Sequence, residues 1–202
     1  MPKNKLKKSS NYKIKLSYSQ RFNELILTFF YCGKSIFAPG TVGTIGAYLC
    51  WIFTNNYFQE NNYNFTLQNF FWISIIILLT IFSIKKIPIY QKDMKYPNID
   101  HKSIVVDEAI GIILALLIYN FFCKELYILN QARFLIYTLF CFIIFRFLDI
   151  YKPLIIGYCD KNFKNAFGVL FDDILCGIFA GFITIVVQNY TINSKFFELI
   201  NC

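Results

Sequence analysis

Apolar residues along this chain fall into five long runs, 45–58, 70–84, 109–123, 134–148 and 174–188, with polar stretches between them. Each run is about 15 residues, so about 22 Å long as a helix, against a hydrocarbon slab of roughly 30 Å. Each reaches spanning length only when flanking semi-polar residues are counted. The runs are apolar around almost the whole circumference, the pattern of buried or membrane helices rather than of helices on a water-facing surface. A sixth, shorter run at 25–32 is too brief to span and is read as lying in the interface. The pattern predicts an all-α fold, a compact helical bundle of about five to seven helices embedded in a membrane. A compact soluble or peripheral helical bundle is the alternative. The expected layout is a basic tail over 1–21, partly disordered, one helical domain over 22–190, and a short tail over 191–202.

Composition sharpens this picture. Of 202 residues, 56% are hydrophobic and only 16% charged, which excludes an intrinsically disordered chain. The net charge is +8, and residues 1–21 hold seven basic residues and no acid. No apolar stretch of signal-peptide length follows directly, so this is not a secretory leader. Anionic lipid is a better partner for such an arm than nucleic acid, because the rest of the chain is greasy. If all five runs span, the segments 1–44, 85–108 and 146–173 share one side and carry 17 of the 20 Lys and Arg residues. The positive-inside rule makes that side cytoplasmic. The seven Cys form no Cys-x-x-Cys pair, which argues against a zinc ribbon or a disulfide framework.

Five of the twelve acids sit at the ends of apolar runs: Asp107, Glu108, Asp149, Asp172 and Asp173. All fall on the side expected to be cytoplasmic. A carboxylate placed there is costly unless paired or bound to metal. Asp107, Gly111 and Ala115 recur at i, i+4, i+8, as do Asp173, Gly177 and Gly181, so each set lines one helical face. Small residues allow close helix approach, so Asp107 and Asp173 are expected to point into the bundle towards each other. Glu108 and Asp172 are rotated by about 100° from them and are assigned to support or to the loop. The plain alternative is that these acids only cap helix N-termini.

Arg146, Asp149 and Lys152 are spaced three apart before Pro153. They are either a local salt-bridge ladder or a metal ligand, Asp149, flanked by two phosphate-binding cations. Upstream, Gly40, Gly43 and Gly46 read as a tight turn beside a helix start. There, exposed N–H groups and the hydroxyls of Thr41 and Thr44 would receive an anion, although Gly43 and Gly46 also suit helix packing. Hard oxygen donors suit Mg2+ or Mn2+, while a single His, His101, and the absence of a spaced Cys cluster disfavour zinc. His101 itself reads more simply as a surface or capping residue. Together these features point to divalent-metal phosphoryl chemistry.

The same residues resemble the phosphatidylglycerophosphatase A family of bacterial membrane lipid phosphatases, in four ordered blocks. These are Gly33, Ser35 and Pro39-Gly-Thr41 with Gly43; the stretch 100–108 ending in Asp107-Glu108, with Gly111; Phe145-Arg146, Asp149 and Lys152-Pro153; and Asp160, Gly168, Asp172-Asp173 and Gly177. Two departures are Ile36, where the family pattern has Pro, and the sparse glycine in 164–168. The resemblance implies Mg2+-dependent removal of the terminal phosphate from phosphatidylglycerophosphate, a step of phospholipid synthesis. It implies a multi-pass protein of the bacterial inner membrane with its site facing the cytoplasm. Asp107, Glu108, Asp149, Asp172 and Asp173 would then hold metal, with Asp107, Asp149, Asp173, Arg146 and Lys152 in catalytic roles. Gly40, Thr41, Gly43, Thr44, Arg146 and Lys152 would meet the substrate phosphate. Water attack and attack by an Asp nucleophile are both open. A phosphatase for another lipid phosphate, and a small ion transporter, are the competing functions.

Overall fold

Among the described residues the fold consists of seven α-helices and one short 3-10 turn, with no strand. The computed structural model describes residues 17–95, 101–124 and 130–193. Most of the basic tail and the final nine residues lie outside that range. Helix α1, Tyr18–Leu27, starts at a capping box between Ser17 and Gln20, inside the stretch expected to be tail. The 3-10 turn Cys32–Lys34 follows, then α2, Pro39–Glu60, with Pro at its first position. Helix α3, Phe65–Met94, is capped by the Asn64 side chain and runs through Pro88. Helices α4, Val106–Phe122, and α5, Gln131–Tyr151, come next, the latter capped by Asn130. Helix α5 stops where Lys152 turns left-handed at φ 41° and Pro153 withholds a donor. The short α6, Leu154–Asn162, leads into α7, Ala166–Asn193.

Helix α4 is the centre of the bundle. Val106, Ala109, Ile110, Ile112, Ile113, Ala115 and Leu116 are all at most 1% exposed, which explains why its sequence is apolar on every side. It packs on α7 most extensively, and also on α2, α3 and α5. Its contact with α7 runs along the two small-residue faces. A Cβ on Gly177 would lie 2.4 Å from the Gly111 carbonyl oxygen, and one on Gly181 would lie 3.0 Å from that of Ala115. The two faces therefore meet, as their spacing predicts.

Three helices, α3, α5 and α7, are long and apolar enough to cross a membrane. That is fewer than the five runs led one to expect. Helix α4 has 17 residues and is enclosed by its neighbours. The apolar run of α2 is diluted by Asn55, Asn56 and Gln59. The described cysteines are all free, and Cys123, Cys141, Cys159 and Cys176 are buried.

The two ends of the bundle differ. At one end lie the start of α4 and the end of α5. Towards the other, about 20 Å along α4 by helix rise, buried amides pair across helices. Trp72 Nε1 donates to Asn55 Oδ1 at 3.2 Å, Asn120 Nδ2 donates to Asn69 Oδ1 at 3.1 Å, and the Tyr119 hydroxyl donates to Gln188.

Candidate active site

Four helices bring their polar residues together at the first of these ends. Pro39 begins α2, and helix geometry leaves the Gly40 and Thr41 N–H groups without intrahelical acceptors. The glycine-rich stretch is thus the first turns of a helix and not a tight loop, and none of the described glycines has positive φ. Its glycines serve close approach instead. A Cβ on Gly40 would lie 2.4 Å from Glu108 Oε1 and 3.5 Å from Arg146 Nη2. One on Gly43 would meet the Val105 side chain at 2.7 Å, so Gly43 seats α2 against the start of α4 and does not face the acids as expected of a phosphate contact. Gly33 likewise lies against the Ser103 carbonyl. His101 Nδ1 is 2.8 Å from Ser103 Oγ in the same segment and accepts from Ser103 N–H, while the α4 N-cap is Val105 with no side-chain cap.

Arg146, near the end of α5, is held on three sides. Nη1 donates to Thr44 Oγ1 and Nη2 to Thr41 Oγ1, each at 3.2 Å, and Nη1 pairs with Asp149. Its Nε is buried without a partner. Thr41 and Thr44, read in the sequence as direct phosphate donors, accept from Arg146 and fix its plane.

The acids divide into two groups. Asp107, Glu108 and Asp173 place one carboxylate oxygen each within 4.8 Å of one another. Asp107 and Glu108 are in the first turn of α4, where the helix dipole favours them, but Asp173 is about two turns into α7, beyond any cap. Asp149 pairs with Arg146, and its charge bears on Glu108 and Asp173, so the cation stands beside the cluster. Burial, with the nearby Asp149 charge, pushes the Glu108 carboxyl above the usual carboxylate range.

Asp172 faces elsewhere. Lys152 Nζ bonds to it and, at 2.6 Å, to Asp160 Oδ1. Burial opposes the Lys152 charge, but the two carboxylates more than offset it and hold its pKa above the ordinary lysine value. Lys152 and Asp172, expected at the phosphate and the metal, thus form a bridge from the α5 end to α6 and α7. The left-handed turn at Lys152 explains this, because it leaves the line of the Arg146–Asp149 face. Asp160 belonged to the sequence resemblance but not to the expected site; no helical spacing ties it to Asp172. Replacing Lys152 by Met strands the buried Asp172 carboxylate. It is expected to destabilise the protein by about 1–3 kcal/mol, read as a lower Tm in detergent.

The residues fit a bound cation. Three carboxylates this close repel one another unless protonated or bridged. Glu108 Oε2 and Asp173 Oδ1 are buried with no hydrogen-bond partner. Oxygen donors alone, with no His or Cys in the cluster, are the set a hard divalent cation takes.

The sequence model of the family described as Phosphatidylglycerophosphatase A matches residues 25–188. A Bacteroides thetaiotaomicron protein, provisionally named a phosphatidylinositol-3-phosphatase, is 32% identical over 83% of this chain and 94% of its own length. An Escherichia coli protein named phosphatidylglycerophosphatase A is 30% identical over 76% of each chain. A Haemophilus influenzae protein of the same name is 34% identical over 44% of this chain and 48% of its own. No solved structure matches the chain.

Proposed function

This chain belongs to the phosphatidylglycerophosphatase A family and is a phosphatase; from that premise we propose that it removes the terminal phosphate of phosphatidylglycerophosphate, with Mg2+, at the cytoplasmic face of the bacterial inner membrane. The observation that carries the reading is the Asp107–Glu108–Asp173 cluster beside Arg146 and the start of α2. Asp107, Glu108 and Asp173 would hold the metal, which when bound supplies Lewis-acid polarisation of a phosphoryl oxygen. Arg146, locked by Thr41, Thr44 and Asp149, presents a fixed guanidinium to the charge that builds on the phosphoryl oxygens. The first N–H groups of α2 add a helix N-terminus to the same anion. Asp149 pairs with Arg146 and holds it beside the cluster. Overall, water oxygen bonds to phosphorus, the bond to the glycerol oxygen breaks, and that oxygen takes a proton. The starts of α2, α4 and α7 and the end of α3 pack at the site end of the bundle, so the excess of Lys and Arg in 1–44, 85–108 and 146–173 supports a cytoplasmic placement of that end.

Phosphate release from a panel of lipid phosphomonoesters tests this. Chelator is expected to abolish release and added Mg2+ to restore it, with phosphatidylglycerophosphate the fastest substrate. Chelator-resistant turnover would remove the metal from the scheme. The name of the Bacteroides relative supports a second reading, hydrolysis of a phosphoinositide, because the site residues described hold a phosphate and not a particular head group. Faster turnover of phosphatidylinositol 3-phosphate in the same panel would favour it.

A further inference from the structure

Two apolar tips stand clear of the bundle at the end where the acids gather. Ile36 and Phe37, in the link between the 3-10 turn and α2, are 91% and 82% exposed. Leu154 and Ile155, at the start of α6, are 91% and 60% exposed. Both tips spring from the rim of the site. Phe37 is three residues before Gly40, which lies against Glu108 and Arg146. Leu154 is two residues after Lys152, which bonds Asp172. Both are also set by backbone that L-residues disfavour. Ala38 has φ 43°, and Lys152 and Leu154 have φ 41° and 44°. Such conformations persist where the surroundings over-determine them, and they cluster at functional sites. Ser35 Oγ fixes the first tip further by donating to the Phe37 carbonyl at 2.9 Å.

Large apolar side chains held out in water are unfavourable, whereas at a bilayer surface the same groups enter the glycerol and upper acyl region. Exposed Lys161 and Lys164, at and just beyond the far end of the helix that the second tip begins, match an anionic leaflet. We infer that Ile36, Phe37, Leu154 and Ile155 form a lipid-contacting rim that selects phosphomonoesters carried in an anionic bilayer over water-soluble ones. The inference rests on the phosphatase reading above and adds the basis of its substrate class. The rim dips into the leaflet around the mouth of the site, so a bilayer lipid reaches the acids without leaving the membrane. A soluble monoester gains nothing from it.

The experiment compares the wild-type chain with an Ile36→Ser, Phe37→Ser, Leu154→Asn, Ile155→Ser variant. Asn at 154 tolerates the left-handed backbone. One substrate is phosphatidylglycerophosphate in phosphatidylglycerol-containing vesicles, and the other a short-chain analogue dissolved below its micelle concentration. The expected result is a tenfold or larger fall in kcat/KM on vesicles with kcat/KM on the soluble analogue unchanged. An equal fall on both substrates, or no fall on vesicles, overturns the rim. A wild-type chain that releases phosphate from neither substrate overturns the activity reading instead, and the rim's role in selection with it. A readout independent of turnover is Phe37→Trp in vesicles brominated in the upper acyl chain. Quenching beyond that of native Trp51 and Trp72 supports insertion, and its absence refutes it.

Discussion

Amide replacement of Asp107, Glu108 or Asp173, as Asp107→Asn, Glu108→Gln or Asp173→Asn, is expected to lower kcat by about 10²-fold or more while the protein still folds and inserts. The geometry explains the size of the effect. Each residue gives one oxygen to a cluster spanning 4.8 Å, and the nearby Asp149 carboxylate is already engaged by Arg146. An amide keeps the shape and removes the charge, so the fold loses repulsion while the site loses its hold on a cation. Two measurements check this together: Mg2+-dependent phosphate release, and the rise in Tm on adding Mg2+, which should shrink in each variant because binding to the native state alone is what raises it. Asp172→Asn gives the contrast. Its partner is Lys152, so it should reduce thermal stability without removing the Mg2+-induced shift. Full activity in all three cluster variants would dismiss the site.

The second large effect belongs to a residue with no functional group. Gly177→Val should destabilise the protein by about 1–3 kcal/mol or more, since overpacking a tight contact forces the backbones apart. A Cβ there would sit 2.4 Å from the Gly111 carbonyl oxygen, which is backbone and cannot swing aside. Gly111 is constrained in turn, because its Cβ would meet the Asp173 carbonyl oxygen at 2.7 Å and the Phe145 ring at 2.6 Å. Separating α4 from α7 at this point also separates Asp107 and Glu108 from Asp173. A lower Tm should therefore come with lost activity, and lower temperature should not restore it. Thermal melting in detergent with parallel phosphate release tests the pair; a variant with wild-type Tm would show that the helices do not approach so closely.

Much of this could be read along the chain. The five runs become helices because a helix pairs backbone N–H and C=O groups internally where apolar surroundings offer no water. The two Asp-led faces meet because both sets of small residues, Gly111 with Ala115 and Gly177 with Gly181, leave room for backbone contact. Other features were hidden. The small-residue face of α7 singles out Asp173 for the bundle interior, but that Asp172, one step of helix rotation away, pairs with Lys152 shows only in the packed bundle. The glycines at 40 and 43 suggested a turn, yet both serve contacts with α4, a part of the chain more than sixty residues away. Helix α3 continues through Pro88 although an internal proline removes a hydrogen bond, so its end was not legible from local rules. The number of membrane-length helices depended on where helices begin and end, α4 stopping at 17 residues, and the apolar runs do not mark those bounds.

The division of the acid cluster between α4 and α7 bears on how the protein is made. Asp107 and Glu108 leave the ribosome well before Asp173, and α7 is the last helix of the described chain. Until α7 enters the bilayer and docks, the earlier acids lack their third companion. A nascent or truncated chain ending before α7 should therefore be inert. Catalytic competence then becomes a report that synthesis and insertion have both carried through α7.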